Sequence, residues 1–357
     1  MRKVVQFSTG NVGRHSLQAI IGRPDLELVG VHASSPAKVG QDAATLCGLT
    51  EPTGVLATDN IDALIALKPD CVVYTALGET RPMDAIAEMS RFLSAGINVV
   101  GTSMVWLVTP HQADDWLRVP LEQACAAGGS SLYVNGIDPG YSGDTAVHSA
   151  LSLATRVRSV TVQEIFDYGN YDDFEYTGTA MGFGTTPDDD TPMAFQPGVV
   201  TSMFGGLVRN LASHLGVELD EVRQRFEPWY SDRRIECVMT TVEPGQLAAV
   251  RFAAEGVRDS EVVITVEHVN RLTSAAAADW EFPPAGQTGV HKVVVEGEPR
   301  IEMHTTLSHP TLDVTDAGCL STAARAVNAI DWVCRAPAGL VAVEDIPPIE
   351  MIRGLMW

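Results

Sequence analysis

The sequence predicts an α/β protein in two parts: an N-terminal doubly wound parallel sheet, then a second α+β domain whose sheet is mixed or antiparallel. Three observations predict it. The chain opens with an apolar run that breaks into a glycine turn and then a helical pattern. As far as Asn135, short continuously apolar runs alternate with helical stretches, the rhythm of strands buried on both faces by crossover helices. From Arg158 onward the apolar residues fall at every second position instead, as in Ser159-Val160-Thr161-Val162-Gln163-Glu164-Ile165, which predicts antiparallel sheet with one wet face.

Residues 3–7 are the first strand, Ser8-Thr9-Gly10-Asn11-Val12-Gly13-Arg14 the turn, and Leu17, Ile20 and Ile21 mark the helix that follows. Residues 26–32 read as the second parallel strand. Residues 61–67 are helical, 71–75 a strand, 83–95 a helix, 97–102 a strand, 113–127 a helix and 131–134 a strand closed by Asn135-Gly136-Ile137-Asp138-Pro139-Gly140-Tyr141. A loop-rich stretch, 178–206, holds the acidic Asp188-Asp189-Asp190, read as a solvated tip and not a metal site, and ends in Met203-Phe204-Gly205-Gly206. Residues 262–269 are another alternating strand. A final helix over 321–335 puts Ala324, Val327, Ile330 and Val333 or Cys334 on one face, and Pro337 stops it. That face is expected to pack back near the first domain. The division follows as 1–145, 146–315 and 316–357.

With 357 residues, 45% of them hydrophobic, the chain can bury a core divided between two domains. Its net charge of −21, from 45 acidic against 24 basic residues without a basic block, argues against nucleic acid and anionic membrane as partners. No apolar run approaches the roughly 20 residues that cross a bilayer. The N-terminus runs directly into a strand, so no export signal is read there. Cys47, Cys71, Cys125, Cys237, Cys319 and Cys334 are scattered without a C-x-x-C pair, and reduced thiols in a soluble cytoplasmic protein are the expectation.

The opening strand, turn and helix match a Rossmann dinucleotide site. There the backbone must approach a diphosphate closely, and a helix N-terminus supplies amides and positive dipole. Ser8, Gly10 and Gly13 occupy the three fingerprint positions, with Ser8 replacing the first glycine. Thr9, Asn11 and Val12 complete the cradle, and Thr75, Ala76 and Thr102 at later strand ends are placed with the cofactor. An NAD site ordinarily closes the second strand with Asp or Glu. Here His32-Ala33-Ser34-Ser35-Pro36-Ala37-Lys38 offers two hydroxyls, loop amides and a cation, so Ser34, Ser35 and Lys38 favour NADP(H). The alternative is NAD(H) with Lys38 in solvent.

Residues 29–42, from Val29-Gly30-Val31-His32 to Val39-Gly40-Gln41-Asp42, the Asn135 to Tyr141 segment and Thr322-Ala323-Ala324-Arg325-Ala326-Val327-Asn328-Ala329-Ile330 resemble blocks of one family, the NAD(P)H-dependent amine dehydrogenases and 2,4-diaminopentanoate dehydrogenase. These blocks span the chain. The resemblance implies a nucleotide domain like that of dihydrodipicolinate reductase, a mixed-sheet substrate domain, a homodimer, and reversible conversion of an amine to a ketone plus ammonia. Dihydrodipicolinate reductase itself is disfavoured, because its paired histidines have no counterpart among the nine here. The resemblance also implies a Glu just after strand 97–102 that binds ammonia, yet Met104 and Val105 stand there. A protonated amine buried without a counter-charge costs several kcal/mol. Either another acid points in, or the substrate is not an amine.

Hydride transfer needs a group that moves a proton at the carbonyl oxygen or nitrogen. Asp138 at a strand end, Tyr168 in Glu164-Ile165-Phe166-Asp167-Tyr168, and His268 in a later strand are the catalytic candidates, against plain turn, wall and structural readings. Met104, Trp106, Tyr141, Glu164 and Asp167 are the candidate substrate pocket, with core or interface packing as the alternative for the aromatics. Asn135 and Asn328 could grip the nicotinamide carboxamide, though Asn328 could instead bond its own helix. Three functions stay open: an amine dehydrogenase, an ammonia-independent carbonyl or imine reductase, and a non-catalytic NADP(H)-binding sensor.

Overall fold

The computed structural model describes residues 1–345. It contains two compact units, Met1–Gly140 joined by the chain from Cys319, and Tyr141–Gly318.

In the first unit, β1 (Arg2–Phe7), α1 (Asn11–Gly22), β2 (Leu26–His32), α2 (Ala43–Cys47), β3 (Ala57–Thr58), α3 (Ile61–Ala66), β4 (Cys71–Tyr74), α4 (Pro82–Ser94), β5 (Asn98–Gly101), α5 (Asp115–Gly128) and β6 (Ser131–Val134) follow one another as the alternating pattern predicts. With β15 (Gly339–Val341) they form a seven-stranded sheet, paired in parallel in the order β15-β6-β5-β4-β1-β2-β3. The chain steps outward from β1 to β3, then returns to β4 and continues the other way. The switch point therefore lies between β1 and β4, where an open parallel sheet receives ligands at its carboxyl edge.

The last helix, α8 (Val314–Val333), supplies one face of this unit's core. Ala326, Val327, Ile330 and Val333 pack with Val4, Ile20, Val73 and Tyr133. Two expectations shift here. The helix begins at Val314 and not at 321, because the Asp313 carboxylate caps it, accepting from the Asp316 amide at 2.8 Å. Ala323 is buried in place of Ala324, which is half-exposed, so the stripe runs 323, 326, 327, 330, 333.

The second unit holds α6 (Val147–Leu151), β7 (Arg156–Asp167), α7 (Val199–Leu215), β8 (Glu221–Tyr230), β9 (Ile235–Glu236), β10 (Thr241–Val242), β11 (Leu247–Arg258), β12 (Glu261–Arg271), β13 (Gly289–Glu298) and β14 (Ile301–Thr305). Six of these strands form a sheet in the order β14-β13-β7-β12-β11-β8. The sheet is mixed, one of the two forms expected: its central pair, β7 and β12, runs parallel, where alternation alone points to antiparallel pairing. The expectation of one wet face fails. On the side carrying Gln163 and Glu267 the polar groups are buried, because Arg225 and Arg251 bond Glu267, and Gln163 donates to it at 2.5 Å.

The Met203 to Gly206 segment, expected in a loop, lies inside α7. Val200, Phe204, Leu207, Val208 and Leu211 recur at helical spacing, and that face packs against β8, β11 and β12. No helix among the described residues is long and apolar enough to cross a membrane.

Ile330 is fully buried in the core of the first unit. Its truncation, Ile330→Ala, is expected to cost about 2–5 kcal/mol, read as a lowered denaturant midpoint with an unchanged slope.

Candidate active site

The turn from β1 to α1 is held from below by a side chain that the sequence reading missed. Gln6 is fully buried. Its Nε2 donates to the Ser8 carbonyl at 2.8 Å and to Thr75 Oγ1 at 2.9 Å, and its Oε1 accepts from Ser16 Oγ at 2.6 Å. Ser8 takes φ +79°, the left-handed conformation that a first-position glycine adopts readily and another residue only at a cost of about 1–2 kcal/mol. Gly13 is obligatory by contact: a Cβ there would sit 2.5 Å from the Ser8 carbonyl oxygen and 2.9 Å from Thr75 Oγ1.

The first intrahelical bond of α1 runs from the Arg14 amide to the Gly10 carbonyl. The amides of Asn11, Val12 and Gly13 precede it, no side chain caps the helix, and no acid lies in its first turn. This is a donor array with positive dipole and no competing anion, so Ser8 to Gly13 fit a diphosphate. Lys38 reaches the same place, its Nζ donating to the Thr9 carbonyl at 3.0 Å and to Thr9 Oγ1 at 3.2 Å. Ser34 and Ser35 are exposed beside it, and Ser35 accepts the Lys38 amide at 2.9 Å. His32 ends β2 stacked on Phe7 at 3.9 Å, and burial pushes its imidazole below the ordinary histidine range.

On the other side of the switch point, Thr75 and Ala76 follow β4 and Thr102 follows β5, all half-buried at the carboxyl edge. Met104, expected as a pocket wall, is fully buried at φ +65°. Its amide and that of Val105 donate to Glu79 Oε1 at 2.6 and 3.0 Å, and Gly78 donates to Glu79 Oε2 at 3.1 Å. A carboxylate thus lies against the Met104 and Val105 amides, carried by a residue that no motif singled out. Burial raises its pKa, opposed by the bonds from those amides. Trp106 packs edge-on against Trp116 at 6.3 Å.

Asn135 lies buried past the end of β6, its Oδ1 accepting from Arg325 Nε at 3.0 Å. Asp138 is half-buried in extended backbone before Pro139. Asn328 is not brought to this edge. Its Oδ1 accepts from Arg23 at 3.1 Å, and Arg23 precedes β2 at the amino end of the sheet.

In the second unit, strand register assembles one row on the face covered by α7. Phe226, Phe252, His268, Glu164, His291 and Thr305 align across β8, β11, β12, β7, β13 and β14. Two catalytic candidates converge on Glu164. Tyr168 donates to its Oε1 at 2.8 Å, and His268 Nδ1 lies 3.5 Å from the same atom. Asn270 also donates there, at 3.0 Å. Burial alone would raise the Glu164 carboxyl, but His268, the nearby His291 and the Tyr168 hydroxyl outweigh it and hold it at about 2. Burial and the Glu164 charge push the Tyr168 phenol well above its ordinary range.

Tyr141 bonds Thr305 Oγ1 at 3.1 Å, and the neighbouring Ser142 bonds His291 Nδ1 at 3.1 Å. Asp167 is not part of this group: side chains alternate along β7, so it faces the opposite side, beside a cavity of about 600 Å³ lined by Asn170, Arg233 and Thr315. His291, Ser142 and Asn270 were missed, since nothing in their local sequence marks them and only the register gathers them.

Residues 144–356 match the 2,4-diaminopentanoate dehydrogenase C-terminal domain. The chain is 38% identical to an amine dehydrogenase of Streptomyces virginiae over 97% of its own length and 96% of the relative's. A shorter match, 39% identical over 62 residues, joins it to a 4-hydroxy-tetrahydrodipicolinate reductase of Trichormus variabilis, covering 17% of this chain and 22% of that one. Among solved structures, the amine dehydrogenase of Mycobacterium smegmatis shares the fold with a TM-score of 0.76 at 19% identity, over 97% of this chain and 96% of that one.

Two outcomes follow from the geometry. Gly13→Ala drives a methyl into the Ser8 carbonyl, so calorimetric titration with a reduced nicotinamide dinucleotide is expected to show affinity at least about tenfold lower than the parent's. Glu164 has its folded pKa lowered from 4.5 to about 2, so its stabilisation is complete above pH 4.5 and lost as pH falls toward 2. Thermal melts of Glu164→Gln should therefore lie below the parent at pH 7, with the gap closing across that acid window.

Proposed function

Because the chain belongs to the amine dehydrogenase and 2,4-diaminopentanoate dehydrogenase family, we propose that it is an NADP(H)-dependent oxidoreductase interconverting a small amine with its ketone or aldehyde plus ammonia. The observation that carries this reading is the diphosphate cradle at Ser8 to Gly13, intact in a chain that aligns with an amine dehydrogenase over nearly its whole length. NADP(H) is preferred to NAD(H) because Ala33 and Ser34 follow β2 where an acid would repel a 2′-phosphate, and the Lys38 ammonium is anchored beside the cradle.

The nucleotide, when bound, gives or takes the hydride. The amides of Asn11, Val12 and Gly13 hold its diphosphate, and Lys38 with Ser34 and Ser35 meets the ribose phosphate. In the substrate domain, Tyr168 and His268 are the proton-handling groups. Glu164, kept anionic, orients the Tyr168 hydroxyl and faces His268 Nδ1. The same reading carries a homodimer as the assembly, which light scattering checks.

A second reading, carbonyl or imine reduction without ammonia, is favoured by the apolar Met104 and Val105 after β5. NADPH oxidation over a panel of small ketones and aldehydes, with and without ammonium chloride, separates the two. Ammonium-dependent turnover supports the first, turnover indifferent to ammonium supports the second, and no turnover of either kind overturns both. For cofactor choice, Lys38→Ala is expected to weaken NADPH binding about tenfold, the worth of one charge-assisted contact. NADH affinity should stay unchanged, and an equal loss for both nucleotides would refute the preference.

A further inference from the structure

We infer that Glu79 is the anionic group that receives the cationic nitrogen of the substrate. The inference rests on the amine reading above and names a residue for it.

Four observations meet at this side chain. Glu79 sits in the loop after β4, at the carboxyl edge of the parallel sheet and beside the switch point. Its carboxylate is held in place by backbone alone. Oε1 accepts from Met104 and Val105, and Oε2 accepts from Gly78, which leaves Oε2 a lone pair. Among the described residues no Lys, Arg or His pairs with it, in contrast to Glu88 on the neighbouring helix, which Arg81 binds through both oxygens. Beside it, the Ser103 hydroxyl is buried, 4% exposed, without a hydrogen-bond partner among the described residues. A buried hydroxyl left unpaired is costly and calls for a reason.

The loop is built to hold this arrangement. A Cβ on Gly78 would lie 2.5 Å from Ser103 Oγ and 2.8 Å from Met104 Sδ, so the two loops touch and a side chain there would displace one of them. Met104 is kept at φ +65°, a conformation its side chain disfavours, by the bond from its amide to Glu79. An anion fixed by amides with no cation of its own, next to an unpaired hydroxyl, suits a ligand that brings one positive charge and several N–H donors. A protonated primary amine, an iminium or an ammonium ion has that chemistry.

The test uses Glu79→Gln, which keeps an oxygen for the Met104 and Val105 amides and removes the charge, with Glu79→Asp as the charge-retaining control. Trp106, two residues from Met104, gives a fluorescence signal for binding that does not depend on turnover. With NADP present, isopropylammonium is expected to bind the parent protein and to bind Glu79→Gln about 10–100-fold more weakly. NADP affinity should be unchanged, the melting temperature should fall slightly because the Gln amide nitrogen would face the Gly78 N–H that now donates to Oε2, and Glu79→Asp should recover part of the binding loss. Equal isopropylammonium binding by parent and Glu79→Gln overturns the inference, as does no binding by the parent. If the parent binds the ion through Glu79 but turns over no amine and no ketone with ammonium, the site stands and the proposed reaction falls.

Discussion

Three of the hydrogen bonds of Gln6, made from a position closed to solvent, each fix a different part of the nucleotide cradle. One bond holds the Ser8 carbonyl, and with it the left-handed turn. Another fixes Thr75, and so the end of β4. The third, from Ser16, ties α1 to the strand beneath it. A buried amide satisfied in this way is rigid, because any movement would leave a donor or acceptor unpaired at about 1–3 kcal/mol. The close approach of Gly13 to Ser8 and the unobstructed amides of Asn11, Val12 and Gly13 follow from that rigidity.

Three carboxylates away from bulk water show three ways of keeping a charge there. Glu267 is neutralised by Arg225 and Arg251, and its role is cohesion of the sheet. Glu164 is held by the Asn270 amide and by two groups that can exchange protons, the Tyr168 hydroxyl and the His268 imidazole. Glu79 is held by backbone amides, with no cation paired to it among the described residues. The partner type separates structural acids from functional ones more clearly than burial does.

The fold was legible where local pattern decides it. Glycines at 10 and 13 after an apolar strand, and continuous apolar runs between helices, specify a parallel sheet because crossover helices must cover both faces. The second unit was legible only in outline, since alternation gives a strand but not its neighbour or direction. That β7 lies parallel to β12 depends on pairing between segments about a hundred residues apart, and the row joining Glu164 to His268 and His291 exists only through that register. Asn328 was misplaced for a related reason: helical periodicity showed that it sits beside the buried stripe, but not which end of the sheet that part of the helix would meet. Glu79 left no local trace, because its role comes from contact with a loop twenty-five residues away.

The core of the first unit joins Val4, Ile20 and Val73 to Val327, Ile330 and Val333, the first and last parts of one chain. On a ribosome these halves emerge far apart in time. The nucleotide domain must wait, its sheet lacking α8, while the whole intervening domain is made and can fold first. A nascent chain stalled before residue 319 would present an uncovered apolar sheet face to chaperones, because the residues of α8 that cover it had not yet been made.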